Sequence, residues 1–133
     1  MSEAEMVAYG ALLLRVALGV LFIAHLWMKF TVFKPAGTAQ FFQSIGLPGF
    51  LAYVVIFAEL AGGALLVLGV GTRGVALLLI PIILGTIIKV HGSKGWGFSN
   101  PGGGWEYPAF WTVALVVQAL IGSGAFALYP IWG

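Results

Sequence analysis

Residues 7–28 read VAYGALLLRVALGVLFIAHLWM, an apolar run interrupted by one charge, Arg15, and carrying His25 near its end. As a helix rising 1.5 Å per residue, the run is about 33 Å long, enough to cross ~30 Å of hydrocarbon. The residues ahead of it hold Glu3 and Glu5 rather than the positive charge that opens a secretory signal, and no A-x-A cleavage site follows. It therefore reads as a retained first helix. Working outward, Phe50 to Val70, Val75 to Val90 and Tyr107 to Leu128 are further apolar runs, the one from Val75 being shortest. A backbone in hydrocarbon must satisfy its own hydrogen bonds, so all four runs read as helices. The expected fold is an all-α membrane protein, one integral membrane domain over 1–133. Its four transmembrane helices, at about 7–29, 50–70, 75–91 and 107–128, form an up-down-up-down bundle with both termini on one side.

Composition agrees. Of the 133 residues, 61% are hydrophobic and only 8% charged, and the mean hydropathy is +1.07. A soluble domain carries about 25% charged residues to solvate its surface, so a freestanding soluble protein and a disordered chain are both excluded. The net charge of +2 is spread along the chain, with no basic cluster that would bind nucleic acid. The absence of cysteine removes thiol exchange, thiolate zinc sites and iron–sulfur clusters. The four carboxylates, two of them in the N-terminal tail, are too few for a di-iron centre, and no metal site is expected.

The connections differ in length. Gly71-Thr72-Arg73-Gly74 makes a tight turn between the second and third spans, whereas Phe30 to Gly49 and Gly92 to Glu106 are long. Within the first long loop, Thr38 to Ile45 is expected to form a short interfacial helix ended by Gly46. An internal echo is present: Leu47-Pro48-Gly49-Phe50 opens the second span and Tyr107-Pro108-Ala109-Phe110 the fourth, each with a proline suited to a first helical turn. Ala58, Gly62 and Gly63 place a small-residue face on the second span for close helix packing.

Polar residues sort by depth. His25 and Lys29 end the first span, Lys89 and His91 the third, and Glu106 and Tyr107 begin the fourth, all on the long-loop side with Trp27, Trp96 and Trp105. Glu59 lies about 13–14 Å into the second span from that side, and Arg15 about 12 Å into the first from the other. Charges at such depth cost roughly 2.5 kcal/mol or more each unless they face the interior and find partners, so an Arg15–Glu59 ion pair is expected. His25 and Lys29, four apart on one helix face, equally fit an interfacial helix end in which the lysine snorkels to headgroups. Lys89, Lys94 and Trp96 fit boundary anchors, and Arg73 a topogenic or headgroup-binding residue. Two histidines on different helices meet the minimum for axial haem ligation, but both sit at helix ends among cations, which argues against haem b.

The order of these features resembles the DoxX family of small bacterial membrane proteins, from about Leu12 to Phe126. It is carried by Arg15 with His25-x-x-x-Lys29, Gly37 to Phe42, Gly46-Leu47-Pro48, Ala58 to Gly63, Leu68 to Arg73, His91, and Gly103 to Pro108. The chain departs from the family pattern at Leu26, where glycine is usual, and in a tail that lacks the family's Ser-Leu-Asp ending. The resemblance implies a four-helix protein of the bacterial inner membrane, oxidoreductase-like or quinone-linked. It also implies association with thiosulfate:quinone oxidoreduction, with resistance to quinones and thiol stress, and with membrane assemblies of redox enzymes.

Two readings of different kinds follow. In the first, the chain is a redox-associated subunit whose candidate ligand-binding residues are His25, Lys29, Glu59, Lys89, His91, Trp105, Glu106 and Tyr107. These offer hydrogen-bond donors and proton carriers for a quinone headgroup, with Trp27, Trp105 and Trp111 as apolar walls. The sequence carries no motif for an electron-carrying cofactor, so electrons would come from a partner redox enzyme. In the second, it is a non-catalytic accessory or assembly subunit packed against other membrane subunits or further copies of itself. A small-solute transporter is a third reading, but no pair of discontinuous helices points to it. By the positive-inside rule, Lys29, Lys34, Lys89 and Lys94 on the long-loop side place those loops in the cytoplasm and both termini outside, a bias that vanishes if Lys29 and Lys89 belong to a site instead.

Overall fold

The structure, a computed structural model, describes residues 1–97, 99–101 and 103–129, with the side chains of Phe33 and His91 lying outside that description. Helix α1 (Glu3–Met28) starts before the apolar run because Ser2 and Glu5 form a capping box. The Glu5 amide donates to Ser2 Oγ at 3.1 Å and the Ser2 amide to Glu5 Oε1 at 3.2 Å, which satisfies two amides that the helix itself cannot. The two leader acids thus serve the positive end of the helix dipole. A π-helical turn, Lys29–Phe33, leads to the short α2 (Pro35–Ser44) and then to α3 (Phe50–Leu68). Helix α4 (Thr72–Thr86) also ends in a π-helical turn, Ile87–His91, and α5 (Glu106–Ile121) follows the second long loop. Helix makes up 78% of the described residues. Among the described residues, the β-type pairing is a single bridge between Val70 and Tyr129.

Glu3–Val32, Phe50–Leu68 and Thr72–Val90 are long and apolar enough to cross a membrane. At 16 residues, or about 24 Å, α5 is apolar but shorter. Sequence reading extends this helix to residue 128, whereas it ends at Ile121. Gly122 leaves the helix at φ 77°, a left-handed angle that favours glycine, and the Gln118 side chain closes the end, its Nε2 donating to the Gly122 carbonyl at 2.8 Å. The chain then folds back under the bundle. The amides of Leu128 and Tyr129 donate to the carbonyls of Leu68 and Gly69 at 3.0 and 3.3 Å, and the Phe126 ring lies 5.1 Å from that of Tyr9.

The four long helices run alternately up and down, with α1 packed chiefly on α3 and α4 on α5. Leu18, Phe22, Leu66, Leu79, Trp111 and Leu115 fill the space between the two hairpins. Gly19 and Gly63 fix the register of the first hairpin. A Cβ on Gly19 would lie 2.7 Å from the Gly63 carbonyl oxygen, and one on Gly63 would lie 3.1 Å from that of Gly19. The two backbones touch there, which only residues without a side chain permit. Gly62, on the neighbouring face, admits Leu79 of α4, where a Cβ would meet that side chain at 2.9 Å.

Each hairpin is closed by an arginine from its first helix. The guanidinium of Arg15 (α1) donates to the carbonyls of Leu66 and Val67 at 2.8 and 2.6 Å, and to that of Phe126 at 3.1 Å. The guanidinium of Arg73 (α4) donates to the carbonyls of Ala119 and Leu120 at 3.1 and 3.5 Å. Both arginines occupy helix C-termini, where carbonyls lack partners and the dipole favours a cation. Arg73, expected as a topogenic or headgroup-binding residue, also caps the end of α5. The sequence echo acquires a structural counterpart, because Lys29 and Lys89, Lys34 and Lys94, Pro48 and Pro108, and Phe50 and Phe110 each recur at a spacing of sixty residues. Lys29 and Lys89 lie in the two π-helical turns.

Candidate functional site

The long-loop end of the bundle is built on the last turn of α1. Lys29 Nζ lies 2.6 Å from Glu59 Oε1 of α3, with the carboxylate side chain 6% exposed and the lysine 23%. The second carboxylate oxygen, Glu59 Oε2, is buried and has no hydrogen-bond partner. The expected Arg15–Glu59 pair does not form, since Arg15 is committed to carbonyls at the opposite end of the bundle. The reason is geometric. With Gly19 level with Gly63, Arg15 stands beside Val67, about 12 Å along the axis from Glu59. Every Cα–Cβ bond tilts toward the N-terminus of its own helix. In an antiparallel pair, Arg15 therefore leans away from Glu59, whereas Lys29 and Glu59 lean toward one another.

One turn before Lys29, the His25 ring sits among aromatic rings from α1 and α5. Its centroid is 4.7 Å from that of Trp111 and 6.1 Å from that of Tyr107, nearly parallel to the latter at 20°. Tyr107 and Trp111 meet edge-on at 5.8 Å, and Phe22 closes the far side of Trp111 at 4.6 Å. His25 Nδ1 lies 2.9 Å from the Leu21 carbonyl. A carbonyl only accepts, so Nδ1 is the donor in this contact, and the tautomer that fits it has its lone pair on Nε2. The indole N–H of Trp111 is buried and unpartnered.

The other sequence candidates divide. Trp105, just before α5, packs edge-on against Trp96 at 4.5 Å and 82°. Glu106 and Tyr107 are half-buried at the start of α5 and line a cleft of about 570 Å³ together with Trp96, Ala109, Phe110 and Val113. Lys89 points outward and is exposed. The His91 side chain lies outside the described residues. Trp27, expected as a wall, is 69% exposed and faces away from His25. Two residues of helix turn a side chain through about 200°, so this was readable from spacing alone. Phe22, which sequence reading left out, stands three residues before His25 and so shares its face, the spacing that would have found it.

At this end of the bundle, a buried carboxylate with one oxygen in an ion pair and the other without a partner, a buried indole donor and an imidazole are the groups able to hydrogen-bond a small ligand that both accepts and donates. The aromatic rings supply flat apolar walls for a planar one.

The DoxX family model matches residues 10–92. A Bacillus subtilis protein named "Putative oxidoreductase CatD" is 40% identical over 121 residues, covering 91% of this chain and 85% of the relative. The Escherichia coli inner membrane protein YqjF is 34% identical over 124 residues, covering 93% of this chain and 84% of its own length. The inner membrane protein YphA, also of Escherichia coli, is 32% identical over 124 residues, with 88% and 86% covered. No solved structure matches the chain.

Proposed function

Because this chain belongs to the DoxX family, we propose that it is a redox-associated subunit of the bacterial inner membrane that binds a quinone at the long-loop end of its helix bundle. The observation that carries the reading is the pairing of buried, unpartnered polar atoms of opposite kind, Glu59 Oε2 and Trp111 Nε1, in the two helices flanking the His25 end of α1. A quinone carbonyl accepts from an N–H, and a quinol hydroxyl donates to a carboxylate or to an imidazole lone pair. The oxidised and reduced ligand thus each find a complement. Buried polar groups otherwise find partners, so both atoms call for one. The name of the Bacillus relative supports a redox setting, and electrons would be supplied by a partner redox protein.

Titrating a short-chain quinone into the purified, delipidated protein tests this. Trp111→Phe keeps an aromatic ring of smaller size and removes the N–H, and His25→Ala removes the imidazole. A lost neutral hydrogen bond is worth about 0.5–1.5 kcal/mol, so each variant should bind roughly two- to tenfold more weakly while remaining folded. A folded wild type that binds no quinone would overturn the reading in favour of a non-catalytic accessory subunit.

A further inference from the structure

Resting on the quinone reading, we propose that the cleft along the outer face of α5 seats the isoprenoid tail of the ligand, which enters sideways from the bilayer. Tyr107 is the wall between tail and headgroup. The cleft, about 570 Å³, falls within the range of roughly 300–1,000 Å³ typical of small-molecule sites. Its residues follow a helical stripe: Glu106, then Ala109 and Phe110, then Val113. This face is turned out of the bundle, with Phe110 73% and Val113 57% exposed, while Trp111, Ala114 and Leu115 point inward. The cleft is polar only at the loop end, where Glu106 and Tyr107 meet Trp96, and apolar for about 10 Å below it.

That end is rigid. The Glu106 amide donates to the Trp96 carbonyl at 3.0 Å, and the Trp96 ring is held edge-on by Trp105. Tyr107 belongs to both compartments. It lines the outer cleft, and its ring also lies nearly parallel to His25 and edge-on to Trp111. One polar end joined to one apolar trough, with Tyr107 shared between the trough and the aromatic cluster, matches a headgroup with a prenyl tail. The cleft lined by Arg73, Leu77, Ile80 and Val116 lacks these properties. It measures about 260 Å³, and the Arg73 guanidinium already caps α5.

The test compares one quinone headgroup with and without an isoprenoid tail, each titrated into full-length protein in the same detergent. The wild type should bind the tailed form at least ~10-fold more tightly. Val113→Trp and Ala109→Trp fill the trough from its outer side and should reduce that advantage to about twofold or less, with headgroup affinity unchanged. Equal affinity of the wild type for both forms, or a tail advantage that survives both variants, would overturn the proposal and leave headgroup binding standing. Displacement of the tail advantage by added phosphatidylcholine would identify the trough as a seat for bilayer lipid and overturn it as well. Failure of the wild type to bind even the tail-free headgroup would overturn the quinone reading, and this proposal with it.

Discussion

Lys29→Met should destabilise the fold more than Glu59→Gln, although each removes the same 2.6 Å contact. The difference lies in what is left behind. Glu59 is buried, with one oxygen already unpartnered, so losing Lys29 strands a carboxylate in the bundle. Removing one member of a buried pair typically costs ~3–5 kcal/mol, and with Lys29 a quarter exposed the lower end, about 3 kcal/mol, is expected. Glu59→Gln instead leaves an ammonium on a flexible stem one turn from the interface, where it reaches water, and should cost about 1 kcal/mol. The double variant should recover ~1–3 kcal/mol relative to the sum, the coupling expected of a contacting pair. A second cycle, Arg15→Met with Glu59→Gln, should be additive to within ~0.5 kcal/mol, because the two residues are distant and share no partner. Unfolding of the purified variants, by heat and by a denaturing detergent titrated against a mild one, supplies the energies. Equal single-variant costs, or stronger coupling in the Arg15 cycle than in the Lys29 cycle, would refute the reasoning.

Arg15→Met keeps the aliphatic stem but removes three donors, each worth ~1.5–3 kcal/mol before the recovered desolvation is counted. A net loss of about 3 kcal/mol is expected, with amide exchange accelerating over residues 122–129; a tail that stays protected would count against the staple. Gly19→Ala should cost about 2 kcal/mol because its Cβ meets the backbone of α3, whereas Gly10→Ala, with nothing within 4 Å, should stabilise by up to ~1 kcal/mol. Comparable melting temperatures for these two variants would contradict the close crossing. Lys34 holds φ at 63° and ψ at 155°, a region costly for any residue with a side chain, so Lys34→Gly should raise stability by ~1 kcal/mol. A lower melting temperature would show that the loop is not strained there.

The apolar helices were legible because hydropathy reports the solvent a segment meets, and hydrocarbon leaves the backbone little choice but helix. The end of α5 was missed because residues 123–128 remain largely apolar after the helix stops; the signal was the Gly122-Ser123-Gly124 triplet, both of whose glycines take a positive φ. The level of His25, Lys29 and Glu106 followed from counting residues inward from the ends of the runs. The partner of Glu59 did not, because such counting treats side chains as points at their Cα positions. A lysine stem, a tilt toward the helix N-terminus and a π-helical turn together move the charge by more than a helical turn. Arg15 shows a different gap. Searching for an acid to match a deep base overlooks the main chain, whose terminal carbonyls carry no signature in residue type.

The Arg15 staple also imposes an order on biogenesis. The residue is synthesised 51 and 52 positions before its acceptors in α3, and 111 positions before Phe126. At roughly 5–20 residues per second, α1 leaves the ribosome with an unanswered guanidinium for several seconds, and for longer before the tail exists. Alone, that charge opposes entry of α1 into the bilayer by roughly 2.5 kcal/mol or more. The unit that the membrane accepts at low cost is therefore the α1–α3 hairpin rather than its first helix. The last hydrogen bond to this early residue closes only after Phe126 has been made.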